Sequence, residues 1–125
     1  MSNSINKRFV ILHHQIPAKP GRESSQHWDL MLEDGSELLT WAIQERPEAG
    51  KTIPARQLPN HRLKYLDYEG AISDDRGSVS RFLAGGFVWL ERENDRIKVE
   101  LQDADPFSLI EIDFGAEQYV VCMFS

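Results

Sequence analysis

The chain has little of several features that would place it in a special class. Its single cysteine, Cys122, excludes an intrachain disulfide, and the apolar setting YVVCMF favours a small buried side chain. No apolar run reaches the ~18–20 residues that span a bilayer, and the segment from Met1 to Lys7 lacks the apolar centre of a signal peptide. We therefore expect a cytoplasmic protein with no membrane segment.

Basic residues are also scarce, since 14 Lys and Arg stand against 20 Asp and Glu and give a net charge of −6. This balance excludes broad affinity for nucleic acid, which depends on cations that neutralise phosphates. Any contact with nucleic acid must therefore be local. A modest cluster of basic residues does surround His61. It is either a small positively charged entrance to a binding site or an ordinary solvated surface. Its members are Lys51, Arg56, Arg62 and Lys64.

The chain does contain enough apolar material for one folded core. Its 125 residues fall within the commonest size of a single domain. Hydrophobic residues make up 41%, and three Trp, six Phe and three Tyr supply bulky core side chains. We therefore expect one domain over residues 1–125.

Alternation of apolar and polar residues predicts short strands along most of the chain. Asp34-Gly35 and the polar run 92–95 are typical of hairpin turns. Prolines and a glycine in residues 44–59 predict a long connecting loop with at most one short strand, and Gly85-Gly86 predicts a turn or bulge. About seven or eight strands without a helical stripe indicate an all-β antiparallel sandwich or barrel with long loops. The predicted strands are 8–16, 27–33, 37–43, 87–91, 96–102, 107–114 and 118–124.

A histidine and an aspartate two positions apart suggest a candidate site. His27 and Asp29 lie on one predicted strand, so both side chains point to the same side and can reach one ion. An imidazole nitrogen and a carboxylate oxygen suit a divalent cation such as Mn²⁺ or Zn²⁺. A third ligand would come from His13 or His14, because only one of two neighbours can share that face. The alternative is a half-buried histidine hydrogen-bonded to an aspartate without any metal.

Four motifs in order resemble the 3′-phosphoesterase domain of bacterial DNA ligase D. They are FVILHH (9–14), HWDLMLED-G (27–35), TWAI (40–43) and HRLKYLDYEG (61–70), and the resemblance covers most of the chain. It implies a compact β-barrel with one Mn²⁺ ion, which helps to remove a 3′-phosphate or a 3′-terminal ribonucleotide from a DNA end during repair. It also implies a nucleic-acid 3′ end as ligand and a ligase or polymerase as partner.

Carried over residue by residue, the resemblance assigns roles to five side chains. The three metal ligands of the family fall on His14, His27 and Asp29. Its catalytic histidine and tyrosine, which contact the phosphate, fall on His61 and Tyr65. In place of Mn²⁺, Zn²⁺ or another divalent cation would also suit this set of ligands.

The chain departs from the family at its phosphate-binding positions. Met31 stands where the family has an arginine on the face of the metal ligands, and a thioether cannot bind a phosphate oxygen. Glu45 replaces a family lysine. An insertion after the first histidines could carry Arg22 toward the site, and Arg56 lies near the position of another family arginine. Arg22 and Arg56 are therefore the candidate substrate-binding residues.

Three interpretations follow from these matches and departures. The first is a metal-dependent phosphoesterase that acts on 3′ ends. The second is a catalytically impaired binding module that keeps the fold, with or without the metal, and recognises nucleic-acid ends or a protein partner. The third treats the four histidines as incidental in a small β-barrel. The natural substrate and the oligomeric state stay open.

Overall fold

The computed structural model describes residues 7–125; the first six residues of the Met1 to Lys7 segment lie outside it. The described residues form nine strands and one short 3₁₀ helix, Leu63–Leu66. No helix within residues 7–125 has the length and apolar character needed to cross a bilayer. The strands are β1 (Lys7–Ile16), β2 (Ser25–Asp34), β3 (Glu37–Ile43), β4 (Thr52–Arg62), β5 (Gly70–Ala71), β6 (Ser78–Arg92), β7 (Arg96–Gln102), β8 (Leu109–Gly115) and β9 (Gln118–Phe124).

Eight of these strands close into an antiparallel barrel, which confirms the predicted fold class. Their order is β1-β2-β3-β4-β9-β8-β7-β6, and β6 pairs with β1 to close the sheet. The ninth strand, β5, adds a two-residue pairing to the beginning of β6. Closure leaves the barrel strands without long free edges.

The apolar residues form two clusters, one on each side of the barrel wall. The larger cluster fills the barrel and receives side chains from all eight barrel strands, among them Phe9, Trp28 and Trp41. The smaller cluster lies on the outer face of β1, β2 and β3, where Val10 and Met31 pack beneath Leu66. Part of the outer face of the barrel wall is therefore as fully buried as the barrel interior. Cys122, expected to be buried, is half-buried on β9 with a free thiol.

The loop predicted for residues 44–59 is correct for residues 44–51 and wrong from Thr52, where the eleven-residue strand β4 begins. Two prolines in this strand fall where the ladder tolerates them. The carbonyl of Pro54 accepts a hydrogen bond from the backbone of Gln44 at 3.1 Å, one residue beyond the end of β3. Because the N–H and C=O of a strand residue point to the same side, the missing N–H of Pro54 removes no bond to β9. Pro59 lies in the register shift between β3 and β4. A missing N–H is harmless at such an irregularity.

The turn or bulge predicted at Gly85-Gly86 is also wrong, because both glycines lie inside the continuous strand β6. The register of β6 shifts elsewhere, opposite Ile11 and Leu12 on β1 and near Trp89 opposite β7. A Cβ added at Gly85 would overlap the carbonyl oxygen of Gln102 and lie 3.1 Å from that of Asp103. This glycine therefore serves a close backbone approach.

Candidate metal centre on the outer barrel wall

The candidate ligands lie on the outer face of the barrel wall. In the antiparallel pairing of β1 with β2, His14 lies opposite His27, and Leu12 lies opposite Asp29. Directly opposed residues share a face, so these four side chains point away from the barrel interior. His13 points the other way and stacks on Trp28, with ring centroids 4.5 Å apart. The register thus selects His14 as the neighbour of His27 and Asp29.

The chain between β4 and β6, residues 63–77, covers this part of the wall and is called the β4–β6 connection. Two surface ion pairs fasten it: Arg8 Nη2 lies 2.6 Å from Asp67 Oδ1, and Lys19 Nζ lies 3.1 Å from Asp75 Oδ2. Arg22 adds a hydrogen bond from Nη1 to the carbonyl oxygen of Asp75 at 3.0 Å. The connection is therefore tied both to β1 and to the loop that follows it.

A tight turn at the end of the connection brings its backbone against β1. The amide of Ile72 donates to the carbonyl of Gly77 at 2.8 Å, which closes the turn. Asp74, Asp75 and Gly77 have φ values of 63°, 57° and 85°. A Cβ added at Gly77 would lie 2.9 Å from the backbone carbon of Gln15. Position 77 therefore requires glycine for two reasons. Its φ is left-handed, and any side chain there would overlap the backbone of Gln15.

Three polar side chains converge at this contact. Nδ1 of His27 lies 2.6 Å from Oδ1 of Asp29, and Nδ1 of His14 lies 3.5 Å from Oδ2 of the same carboxylate. One ligand atom from each of the three residues lies within 4.8 Å of the other two. The carboxylate is 3% exposed, and the two imidazoles meet edge to face at 4.7 Å. Asp29 is thus a buried charge held between two histidines.

The protonation of the cluster follows from these contacts. Hydrogen bonding to Asp29 raises the pKa of His14 above its ordinary value, despite the burial of the ring. Burial alone would raise the pKa of Asp29, yet hydrogen bonds from His14 and His27 outweigh burial and lower this pKa. A buried carboxylate needs a positive partner, and the cluster supplies one as long as a proton or another cation is present.

The donor set fits a divalent cation. The backbone carbonyl of Arg76 lies 2.6 Å from Nε2 of His14, and a carbonyl can only accept, so Nε2 carries a hydrogen. In the neutral ring, Nδ1 then turns a lone pair toward the Asp29 carboxylate, and a cation between them removes the repulsion. A metal-bound histidine commonly donates its other N–H to a carbonyl in this way. Three protein ligands also leave coordination positions for water or substrate.

A small cavity of about 80 Å³ adjoins the cluster. His14 and Asp29 form one part of its wall, and His61 and Tyr65 form another. The remaining lining residues are Met31, Ile72, Arg76 and Val79. The cavity therefore borders two of the candidate metal ligands and both candidate catalytic residues, which the sequence places 47 to 51 positions after His14 (61 − 14 and 65 − 14).

His61 and Tyr65 meet at the junction between β4 and the 3₁₀ helix. Their rings are in edge contact, with centroids 5.7 Å apart. Nδ1 of His61 lies 2.9 Å from the carbonyl of Pro59, so Nδ1 carries a hydrogen and Nε2 stays available to a ligand. The Tyr65 ring also meets Tyr68 at 5.9 Å. This aromatic contact fixes one side of the cavity.

The structure does not place the two candidate substrate-binding arginines in the cavity. Arg22 donates to the carbonyls of Asp75 and Pro17, at 3.0 and 2.8 Å. Arg56 is exposed on β4, opposite Ala42, which in turn lies opposite Asp29. It shares the outer face with Asp29 but lies two strands away. Glu45, which replaces a family lysine, pairs with Lys51 at 2.8 Å.

Arg76 was not identified from the sequence, although it lines the cavity and contacts a candidate ligand through its carbonyl. The run Ser-Asp-Asp-Arg-Gly at 73–77 has the composition of a turn. This composition does not indicate which part of the protein the turn packs against. Arg76 reaches the site through the packing of Gly77 on β1 and the contacts of Lys19 and Arg22 with Asp75.

Comparison with family models and curated proteins identifies no relative of the chain. No protein-family model matches the chain, and no curated protein matches it significantly. The function must therefore be inferred from the site and from the motifs of the chain itself.

Proposed function

We propose that the protein is a metal-dependent phosphoesterase that processes the 3′ end of a DNA strand by removing a 3′-phosphate or a 3′-terminal ribonucleotide. One observation carries the proposal: the cavity bordered by His14 and Asp29 is also lined by His61 and Tyr65. These are the residues to which the motifs assign metal-binding and phosphate-contacting roles. The resemblance to DNA ligase D phosphoesterase domains supplies the substrate class.

Each side chain has a role that its contacts permit. His14, His27 and Asp29 would hold the cation, with Mn²⁺ favoured by the resemblance and Zn²⁺ also compatible with the donors. A bound divalent cation supplies Lewis-acid polarisation of a phosphoryl oxygen. His61, with Nδ1 held by Pro59, presents Nε2 for proton transfer or for donation to the phosphate. Tyr65 orients the His61 ring by edge contact.

A second candidate function is a binding module that keeps the metal but does not hydrolyse. Met31 favours it, because this buried methionine lines the cavity at the position where the resemblance expects an arginine. Loss of a charge-assisted contact to a transferring phosphoryl group commonly costs about 10²–10³ in rate. Such a module would recognise a nucleic-acid end or a protein partner.

Partner and location belong to the same proposal. A phosphoesterase that prepares 3′ ends would act before a polymerase extends the strand or a ligase seals it. We therefore propose a ligase or polymerase as its partner and the cytoplasm as its location. Co-purification with such an enzyme would support this assignment.

The test combines metal binding with release of phosphate from a 3′-phosphorylated oligonucleotide in the presence of Mn²⁺. We expect wild-type protein to bind Mn²⁺ and to release phosphate, and His27→Ala or a chelator to abolish both. His13→Ala is the control, because His13 is a neighbouring histidine on the opposite face. Metal binding without turnover would favour the binding module. Turnover that survives in His27→Ala would overturn the proposed site.

A further inference from the structure

Arg76 lines the cavity from the β4–β6 connection, outside the two strands that carry the candidate ligands. Among the lining residues it is the only lysine or arginine, and Met31 lines the same cavity. A fixed positive charge thus stands beside the candidate metal ligands.

The guanidinium group of Arg76 uses only some of its N–H donors in hydrogen bonds to the described residues. Its Nε donates to the carbonyl of Ser73 at 3.0 Å, and its Nη2 donates to Oγ of Ser73 at 3.3 Å. Within residues 7–125 its Nη1 group has no hydrogen-bond partner, and the side chain takes part in no ion pair. Arg76 as a whole is exposed.

The contacts with Ser73 orient the group without neutralising it. Both acceptors are uncharged, so the full charge of the guanidinium is retained. The carboxylate of the neighbouring Asp75 is engaged by Lys19 at 3.1 Å, which directs it elsewhere. An oriented arginine with free Nη donors and no carboxylate partner is suited to an anion with two or more oxygens.

Arg22 and Arg56 do not offer the same arrangement. Two nitrogens of Arg22 donate to the carbonyls of Pro17 and Asp75, and its Nε is buried without a partner. Arg22 therefore braces the turn that carries Arg76. Arg56 lies on β4 and does not line the cavity.

We propose that Arg76 is the phosphate-binding residue of this site and that it takes the terminal phosphate group of the substrate. The positive charge comes from the turn at 73–77, which allows Met31 on β2 to be apolar. The same residue restrains His14 through its backbone carbonyl. The proposal rests on the proposed function, because the substrate class comes from there.

The experiment measures binding of a 3′-phosphorylated oligonucleotide to Mn²⁺-loaded protein by stopped-flow fluorescence anisotropy, on a time scale shorter than one turnover, with the 3′-hydroxyl oligonucleotide and inorganic phosphate as comparison probes. We expect Arg76→Gln to weaken binding of the 3′-phosphorylated probe about 10- to 100-fold, as loss of a charge-assisted bidentate contact does. Arg76→Lys should recover part of the affinity, because it restores the charge but not the fork. Arg96→Gln, which removes an exposed arginine paired with Asp113, should leave affinity unchanged.

A Mn²⁺ titration of the same variants separates this proposal from the proposed function. The backbone carbonyl that holds His14 is present in Arg76→Gln, and loss of a nearby positive charge does not weaken cation binding, so we expect its Mn²⁺ affinity to be no lower than that of wild type. Suppose that wild-type protein binds Mn²⁺ and prefers the 3′-phosphorylated to the 3′-hydroxyl probe but does not release phosphate. This result would overturn the hydrolytic function. It would support the role of Arg76 if Arg76→Gln no longer prefers the phosphorylated probe. Equal binding of the phosphorylated probe by wild type and Arg76→Gln would overturn the proposal, as would a wild-type protein that does not bind it.

Discussion

Nε2 of His14 lies 2.6 Å from the backbone carbonyl oxygen of Arg76, which is 62 residues further along the chain. This hydrogen bond joins a candidate metal ligand on β1 to the turn at 73–77. Because a carbonyl accepts only, the contact sets which nitrogen of His14 carries a hydrogen. The ligand can therefore be perturbed by changing the turn without touching any metal-binding side chain.

Gly77→Ala tests this connection. The added Cβ would overlap the backbone of Gln15, so the turn must move away from β1 and take the Arg76 carbonyl with it. We expect the free energy of unfolding to fall by about 1–3 kcal/mol through overpacking. Mn²⁺ affinity should fall about 10- to 100-fold, as it does when the outer partner of a ligating histidine is lost. Urea unfolding and a Mn²⁺ titration measure the two effects.

Gly50→Ala is the matched control for this substitution. Gly50 has a φ of 80°, close to the 85° of Gly77, but a Cβ there meets nothing within 4 Å. The backbone strain is therefore shared, while the overlap and the effect on the site are not. Equal Mn²⁺ affinity in the two variants would show that the turn does not restrain His14.

A second prediction concerns the ion pair at the opposite end of β2. Arg92 grips Asp34 with two hydrogen bonds, at 2.8 and 3.3 Å, and lowers the pKa of this carboxyl group. Because the pKa of Asp34 is lower in the folded than in the unfolded protein, the pair contributes its full stability at pH values above the unfolded pKa of about 3.9. This contribution is lost as the pH falls through the folded pKa. The pair is partly exposed, so we expect Asp34→Asn to cost about 0.2–1 kcal/mol at pH 7.

Unfolding of wild type and Asp34→Asn at a series of pH values checks this prediction. Asp34 is the last residue of β2 and pairs with Glu37, so the substitution leaves the two turn residues, 35 and 36, unchanged. The difference in unfolding free energy should shrink steadily below about pH 4. Arg92→Gln in the Asp34→Asn background should cost less than it does in wild type. A difference that is independent of pH would exclude the ion pair as its source.

Alternation predicted strands well where only one face is buried. β7, in which buried Val99 and Leu101 alternate with more exposed residues, was predicted at its observed limits, Arg96–Gln102, and His27 and Asp29 were placed on one face of one strand. In β1, however, residues Phe9 to Leu12 are all buried, because the outer cluster covers the wall as thoroughly as the barrel core does. A run that is apolar on both faces carries no alternation, so it could not decide between His13 and His14.

The missed parts of the site depend on contacts between distant segments. The prolines of β4 suggested a loop, since nothing local shows that Pro59 falls in a register shift. Arg76 reaches the site because Gly77 packs against β1 and because Lys19 and Arg22, more than 50 residues earlier in the chain, hold Asp75. Turn composition predicts that a turn exists, but the surface on which it lies is set by the barrel.

The last prediction separates the chemistry of His61 from its structural contacts. If His61 transfers a proton or donates to the phosphate, His61→Gln should lower the rate of phosphate release about 10²- to 10⁴-fold. Mn²⁺ affinity should not change, because His61 is not among the three clustered ligands. Tyr65→Phe is the companion variant, since it keeps the ring that contacts His61 at 5.7 Å and removes only the hydroxyl. We expect a smaller effect from it if Tyr65 acts by orienting His61. If His61→Gln instead loses Mn²⁺ affinity and rate together, His61 has a structural role. Its removal would then have disturbed the three metal ligands across the shared cavity.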